Sequence, residues 1–135
     1  MDPGSLIPLK KLLSEYGEIS FAYVHGSYLT SESPRDLDIA VFLNEESYRS
    51  LSEAGEVSMG FAIPLEMELE KRLRIKTDVQ VLNRAPLSFR HRVVQEGVLI
   101  LDDAVDLRCQ FEYQSRFQYF DFQPRRKTYL QEAFS

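Results

Sequence analysis

The sequence is short of several things, and each shortage excludes something. It has a single cysteine, Cys109, which cannot close an internal disulfide and has no cysteine partner for a metal cluster. We expect it to behave as a small apolar residue, buried or half-buried. No apolar run approaches the roughly 20 residues that cross a bilayer. The opening MDPGSLIPLKK also lacks a basic region followed by a long apolar stretch, so the expected setting is cytoplasmic, with no membrane partner. Basic excess is missing as well. Sixteen Lys and Arg against 21 Asp and Glu leave a net charge of -5, with a pI of about 5.1. A broad nucleic-acid surface would be basic, so any nucleotide bound here is expected to be a small ligand. Repeats, low-complexity tracts and linkers are lacking too, and 135 residues suit one domain spanning 1–135 with a substantial core.

What is present is concentrated between Tyr23 and Leu43, YVHGSYLTSESPRDLDIAVFL. A short apolar run stops at Gly26-Ser27, a polar loop follows, and Asp36-Leu37-Asp38 opens the apolar segment Ile39–Leu43. Residues two apart on a strand share a face. Asp36 and Asp38 are therefore expected to point together, with Leu37, Ile39 and Val41 directed into a core. Two carboxylates at a strand's start, beside a Gly-Ser turn, suit a divalent metal held against phosphate. Gly26 lets backbone approach a phosphate closely, and Ser27 offers a hydroxyl donor. Asp78, in KTDVQVL, is the only acid of a second predicted strand and a candidate third ligand. Each element has an ordinary reading beside this one: a solvated turn for the DxD, a simple turn for Gly-Ser, an exposed edge-strand residue for Asp78. Their order along the chain is what joins them.

The remaining pattern predicts an α/β fold, a small mixed sheet flanked by helices. Leu6–Tyr16 reads as an amphipathic helix with Pro8 in its first turn, and Ile19–Val24 as a strand. Tyr28–Ser31 reads as a short helical piece and Glu45–Ala54 as a helix capped by Asn44 and stopped by Gly55. Phe61, Leu65, Leu69 and Leu73 recur every four residues, predicting a helix over Ser58–Leu73 with its acidic side toward water; Pro64 must kink it or mark its true start. Lys76–Leu82 and Val98–Leu101 read as strands, and Pro86–Glu96 as a helix. A helix from Ala104 to about Phe120 carries Phe111 and Phe117, and an amphipathic piece, Arg125–Phe134, ends the chain. The aromatic residues from Phe111 to Phe122 are expected mainly in the core. His25 is expected to pack half-buried and His91 to face solvent. Lys76, Arg84 and Arg90 are equal candidates for a pyrophosphate contact, with a solvated role open for each.

Strand, Gly-Ser, short helix, DxD and a later Asp-bearing strand together resemble the nucleotidyltransferase superfamily related to DNA polymerase beta, specifically its minimal members. HGSY, DLDIAVFL, DVQVLNRAPLSFRHRVVQEGVLIL and the tail EYQSRFQYFDFQP are similar to the MntA-type adenylyltransferase antitoxins, from about Ile19 onward. Eight residues, 28–35, separate Gly-Ser from DxD, slightly fewer than is usual in that family, and Arg35 stands where many relatives carry a small hydroxyl residue. The resemblance implies a polymerase beta-like nucleotidyltransferase fold that binds ATP with two Mg²⁺ ions and transfers AMP to a tyrosine of a HEPN-domain toxin. It implies Asp36, Asp38 and Asp78 as catalytic metal ligands, and Gly26 and Ser27 as nucleotide-binding residues. Two alternatives stay open: an antitoxin that neutralises its partner by binding alone, and a nucleotidyltransferase of a small molecule such as an aminoglycoside. The oligomeric state, a homo-oligomer included, is not fixed by the sequence.

Overall fold

The computed structural model describes residues 6–30 and 36–118. Its elements follow the order α1 (Ile7–Ser14), β1 (Ile19–His25), α2 (Ser27–Thr30), β2 (Asp36–Leu43) and α3 (Glu45–Glu53). A π-helical turn (Val57–Ala62) leads into α4 (Ile63–Leu73), then β3 (Lys76–Val81), α5 (Leu87–Glu96) and β4 (Val98–Asp102). A last helix, α6, covers residues 105–118. The expected polar loop over 31–35, the end of the helix expected to reach about Phe120 and the piece Arg125–Phe134 lie outside the described residues.

Local chemistry accounts for the boundaries. Pro8 lies in the first turn of α1, where its missing N–H is not needed. Asn44 caps α3 by accepting the Ser47 amide at 2.8 Å, and Gly55 follows at a φ of 68°, a conformation glycine adopts without a Cβ penalty. The Pro64 conflict resolves as a break within one helical run: a π-turn carries Val57–Ala62, and α4 begins just before the proline. A proline cannot donate to the preceding turn and crowds the carbonyl four residues back, and the wider π geometry precedes that point.

The strands form one sheet in the order β3-β2-β1-β4. β1 runs antiparallel to both β2 and β4, and β2 pairs in parallel with β3, so the fold is α/β with a mixed sheet. Both sheet faces are covered. On one face Leu37, Ile39 and Val41 pack with Leu9, Leu13, Phe61, Leu65 and Leu69 from α1, the π-turn and α4. On the other, Phe21, Tyr23 and Ala40 pack with Leu82, Val93, Val94 and Phe111 from the β3–α5 region and α6. The face that carries Asp36 and Asp38 therefore turns into a second core two residues later.

Three expectations about individual residues need correction or division. Glu66 and Glu70 on α4 do not simply face water: Glu66 accepts the Val79 amide at 2.8 Å and Glu70 the Thr77 amide at 3.0 Å. They satisfy outward-pointing N–H groups on the edge strand β3, which would otherwise be open to pairing. Cys109 is exposed, because it falls on the outer side of α6. The aromatic residues of α6 divide: Phe111 is buried, whereas Tyr113 and Phe117 are 66% and 58% exposed and stack on each other, 5.7 Å apart. Phe120 and Phe122 lie outside the described residues.

Candidate active site

The parallel pairing of β2 with β3 sets the site. Parallel strands in register point equivalent residues to the same face, and Asp38 is the register partner of Asp78, with Asp36 opposite Lys76. On the other side of β2, Asp38 lies opposite His25, the last residue of β1. Asp36 is exposed at the strand's entrance and Leu37 is buried behind it. Asp38 is half-buried where the sheet passes beneath α5. The sequence put Asp36 and Asp38 on one face and offered Asp78 from another strand as a third ligand, and the register puts Asp38 beside Asp78.

Gly26 closes the end of β1 with a φ of 79°, and a Cβ at that position would run into Asp38 Oδ2. Only glycine lets the backbone after β1 come this close to the carboxylate. Ser27 begins α2. Beside Gly26 and Asp38 opens a cleft of about 330 Å³, lined also by His25, Gln80 and, from α5, Phe89, Arg92 and Glu96. A neighbouring, more apolar cleft of about 420 Å³ runs along Val79–Val81 to Pro86 and shares Gln80 and Phe89 with the first.

Burial pushes the Asp38 carboxyl above its ordinary range; His25 opposes that rise, and Asp78 and Asp36 add to it by like-charge repulsion. Burial lowers the His25 pKa, the Gln80 hydrogen bond and Asp38 working against the drop and Arg92 with it. His25 packs edge-on against Phe89 at 5.6 Å and meets Gln80 Oε1 through Nε2 at 2.9 Å, so the expected half-buried packing role is met in a residue that also lines the cleft. Gln80 in turn donates through Nε2 to Asp78 Oδ2. The Glu66 carboxyl is also raised, chiefly by burial and further by Asp78.

Among the described residues, no ion pair engages Asp36, Asp38 or Asp78. Adjacent carboxylates outside any ion pair, one of them partly desolvated, form an oxygen donor set that fits a hard divalent cation such as Mg²⁺. No three Asp, Glu, His or Cys side chains among the described residues gather closely enough to hold an ion alone. The remaining ligands would be phosphate oxygens and water, which Mg²⁺ commonly retains.

The cations distribute unevenly. Arg90 is half-buried with its guanidinium 5.0 Å from the Phe111 ring centroid, packed into the second core and outside the cleft lining. Lys76 and Arg84 are exposed, Lys76 at the entrance beside Asp36. Arg92, which the sequence did not single out, lines the cleft and lies over Phe89 at 5.5 Å. Helical spacing explains the exchange, since α5 turns positions 89, 92 and 96 toward the carboxylates. Asn83, in the Leu82–Pro86 turn, bonds both main-chain groups of Leu43, accepting from its N–H at 2.9 Å and donating to its carbonyl at 2.8 Å.

No helix among the described residues is long and apolar enough to cross a membrane. A comparison with curated protein sequences returned no significant match. In structure, the chain is similar to a chain from the complex of a tri-AMPylated Shewanella oneidensis HEPN toxin with an MNT antitoxin, at 19% identity over all of both chains and a TM-score of 0.71. It is similar also to a chain of a toxin–antitoxin structure with AMP-PNP, at 20% identity over all of both chains and a TM-score of 0.69. A chain of the MntA-HepT toxin–antitoxin matches at 16% identity, over 99% of this chain and 100% of the other, with a TM-score of 0.66. At these identities the likeness is one of fold. A family model described as "Polymerase beta, Nucleotidyltransferase" matches residues 8–106, and the chain belongs to that family of nucleotidyltransferases.

Proposed function

We propose that this chain is a single-domain, cytoplasmic, Mg²⁺-dependent adenylyltransferase that moves AMP from ATP to a tyrosine of a HEPN-type toxin and thereby acts as its antitoxin. The observation that carries the proposal is the side-by-side placement of Asp38 and Asp78 next to the Gly26 turn. The AMPylated HEPN toxin and the AMP-PNP found with chains of this fold support the choice of group and partner.

In the reaction, the tyrosine oxygen attacks the α-phosphorus of ATP, the bond from that phosphorus to the pyrophosphate breaks, and the tyrosine proton leaves the oxygen. Asp36, Asp38 and Asp78 would hold Mg²⁺ together with phosphate oxygens and water, and Asp78 also stands as acceptor for the proton. Mg²⁺ held there would neutralise phosphate charge and favour the ionised hydroxyl. Gly26 allows the backbone to approach a phosphate, and Ser27 directly after it is assigned to the β- or γ-phosphate. Arg92, lining the same cleft, is the cation best sited to meet the departing pyrophosphate.

The test is incubation with labelled ATP, Mg²⁺ and the product of a neighbouring HEPN-type gene, followed by mass analysis of its tyrosines. Label on tyrosine supports the reading. A stable complex without label would replace it with an antitoxin that works by contact, and label on an aminoglycoside instead of the protein would replace it with a small-molecule transferase.

A further inference from the structure

We propose that Gln80 is a positioning residue, whose side-chain amide bridges His25 to Asp78 and holds the Asp78 carboxylate in its place beside Asp38. This rests on the nucleotidyltransferase reading of the site and adds a residue to it.

The direction of each hydrogen bond follows from what each atom can do. The Gln80 Nε2 amide can only donate, and it donates to Asp78 Oδ2. The amide oxygen then points the other way, to His25 Nε2 at 2.9 Å. A carbonyl oxygen also only accepts, so His25 carries its proton on Nε2 and, when neutral, leaves Nδ1 as an acceptor. One planar group thus fixes a carboxylate at one end and an imidazole tautomer at the other.

The bridge spans the sheet. His25 is on β1 and Gln80 on β3, with β2 between them. The β2 residue in register with Gln80 is Ala40, whose methyl group leaves room for a bond to pass above the strand. Phe89 holds the imidazole edge-on, and the Glu66 and Glu70 bonds to Val79 and Thr77 hold the main chain on both sides of Asp78. Asp78 is therefore anchored through its backbone from α4 and through its side chain from β1. Groups that orient metal ligands in this way typically change metal affinity or activity about 10- to 100-fold when removed.

The test uses the full chain with Gln80→Met, which keeps length and apolar contact but removes both hydrogen-bonding ends. In the nucleotide-free protein, wild type is expected to show a slowly exchanging, downfield His25 Nε2 proton by NMR, and the variant to lose it. With α,β-methylene ATP present, Mn²⁺ affinity is expected to fall about 10- to 100-fold. In AMP transfer, kcat is expected to fall with little change in the KM for ATP. His25→Phe attacks the bridge from its other end and is expected to give a smaller loss in the same direction, which covers the case of a Gln80 variant that does not fold. Absence of the downfield proton in wild type, or unchanged Mn²⁺ affinity in a folded Gln80→Met, would overturn the proposal. Neither readout needs AMP transfer, so a wild type that transfers no AMP would overturn the function while leaving the bridge to be decided by the other two arms.

Discussion

Gly26 and Asp38 approach so closely that a single added carbon on Gly26 would strike the Asp38 carboxylate. The backbone there also has a φ of 79°, which costs a non-glycine residue about 1–3 kcal/mol. Gly26→Ala is therefore expected to lower unfolding stability by about that amount and to displace Asp38, with loss of AMP transfer. Urea denaturation together with the labelled-ATP assay checks both parts; a fully active, fully stable variant would show that the turn has slack.

Asp36→Asn, Asp38→Asn and Asp78→Asn remove negative charge where no described cation pairs with it. Each variant is expected to fold, and Asp38→Asn to be as stable as wild type or more so, because burial and neighbouring carboxylates already disfavour the ionised Asp38. Transfer in the Asp38 and Asp78 variants is expected to fall below about 1% of wild type through loss of metal ligands. Full transfer in both would sink the carboxylate assignment.

Glu66→Ala and Glu70→Ala are each expected to release one amide of β3. The bonds they break run to charged acceptors, but the groups are partly solvated, so the cost is about 1 kcal/mol each. Amide hydrogen exchange should rise at Val79 in the first variant and at Thr77 in the second. Glu66→Gln keeps an acceptor oxygen and is expected to leave Val79 largely protected.

Tyr23 gives a pH-dependent prediction away from the site. Its hydroxyl donates to Glu112 Oε1 at 2.7 Å, and Arg108 ties Glu112 to Asp102. Burial first, then the Glu112 hydrogen bond and charge, raise the Tyr23 pKa above the ordinary tyrosine value. The folded chain keeps this proton where the unfolded chain loses it, so the Tyr23 contribution is present below about pH 10 and declines above it. Tyr23→Phe is expected to cost about 1–2 kcal/mol at neutral pH. The gap between wild type and variant should narrow as urea titrations move past pH 10; a constant gap would show that this proton is not coupled to folding.

The carboxylates were legible because strand geometry alone aligns Asp36 with Asp38, and β2 has the expected bounds, Asp36–Leu43. The second core was not. Ala40 and Phe42 continue the face that begins with the two acids, and the short run Ile39–Leu43 is apolar at every position, so periodicity cannot say where that face passes from open to covered. Glu66 and Glu70 lie off the apolar stripe of α4, which reads as solvent exposure unless the edge of β3 is known to run beside them. The alternation in KTDVQVL makes Gln80 only the polar half of a half-buried strand; its role depends on His25, 55 residues away in sequence, and on an intervening alanine. Arg92 was hidden among neighbouring cations, and only the direction in which α5 turns separates it from Arg90.

Asn83 acts as a substitute peptide group, giving Leu43 both a donor and an acceptor. It thereby latches β3 to β2 at the end of the pair remote from the acids. A one-residue slip between these strands would set Thr77 or Val79 across from Asp38 and turn Asp78 to the opposite side. The meeting of Asp38 with Asp78 is thus a property of strand alignment, and an amide at the far end of the strands guards it without touching either acid.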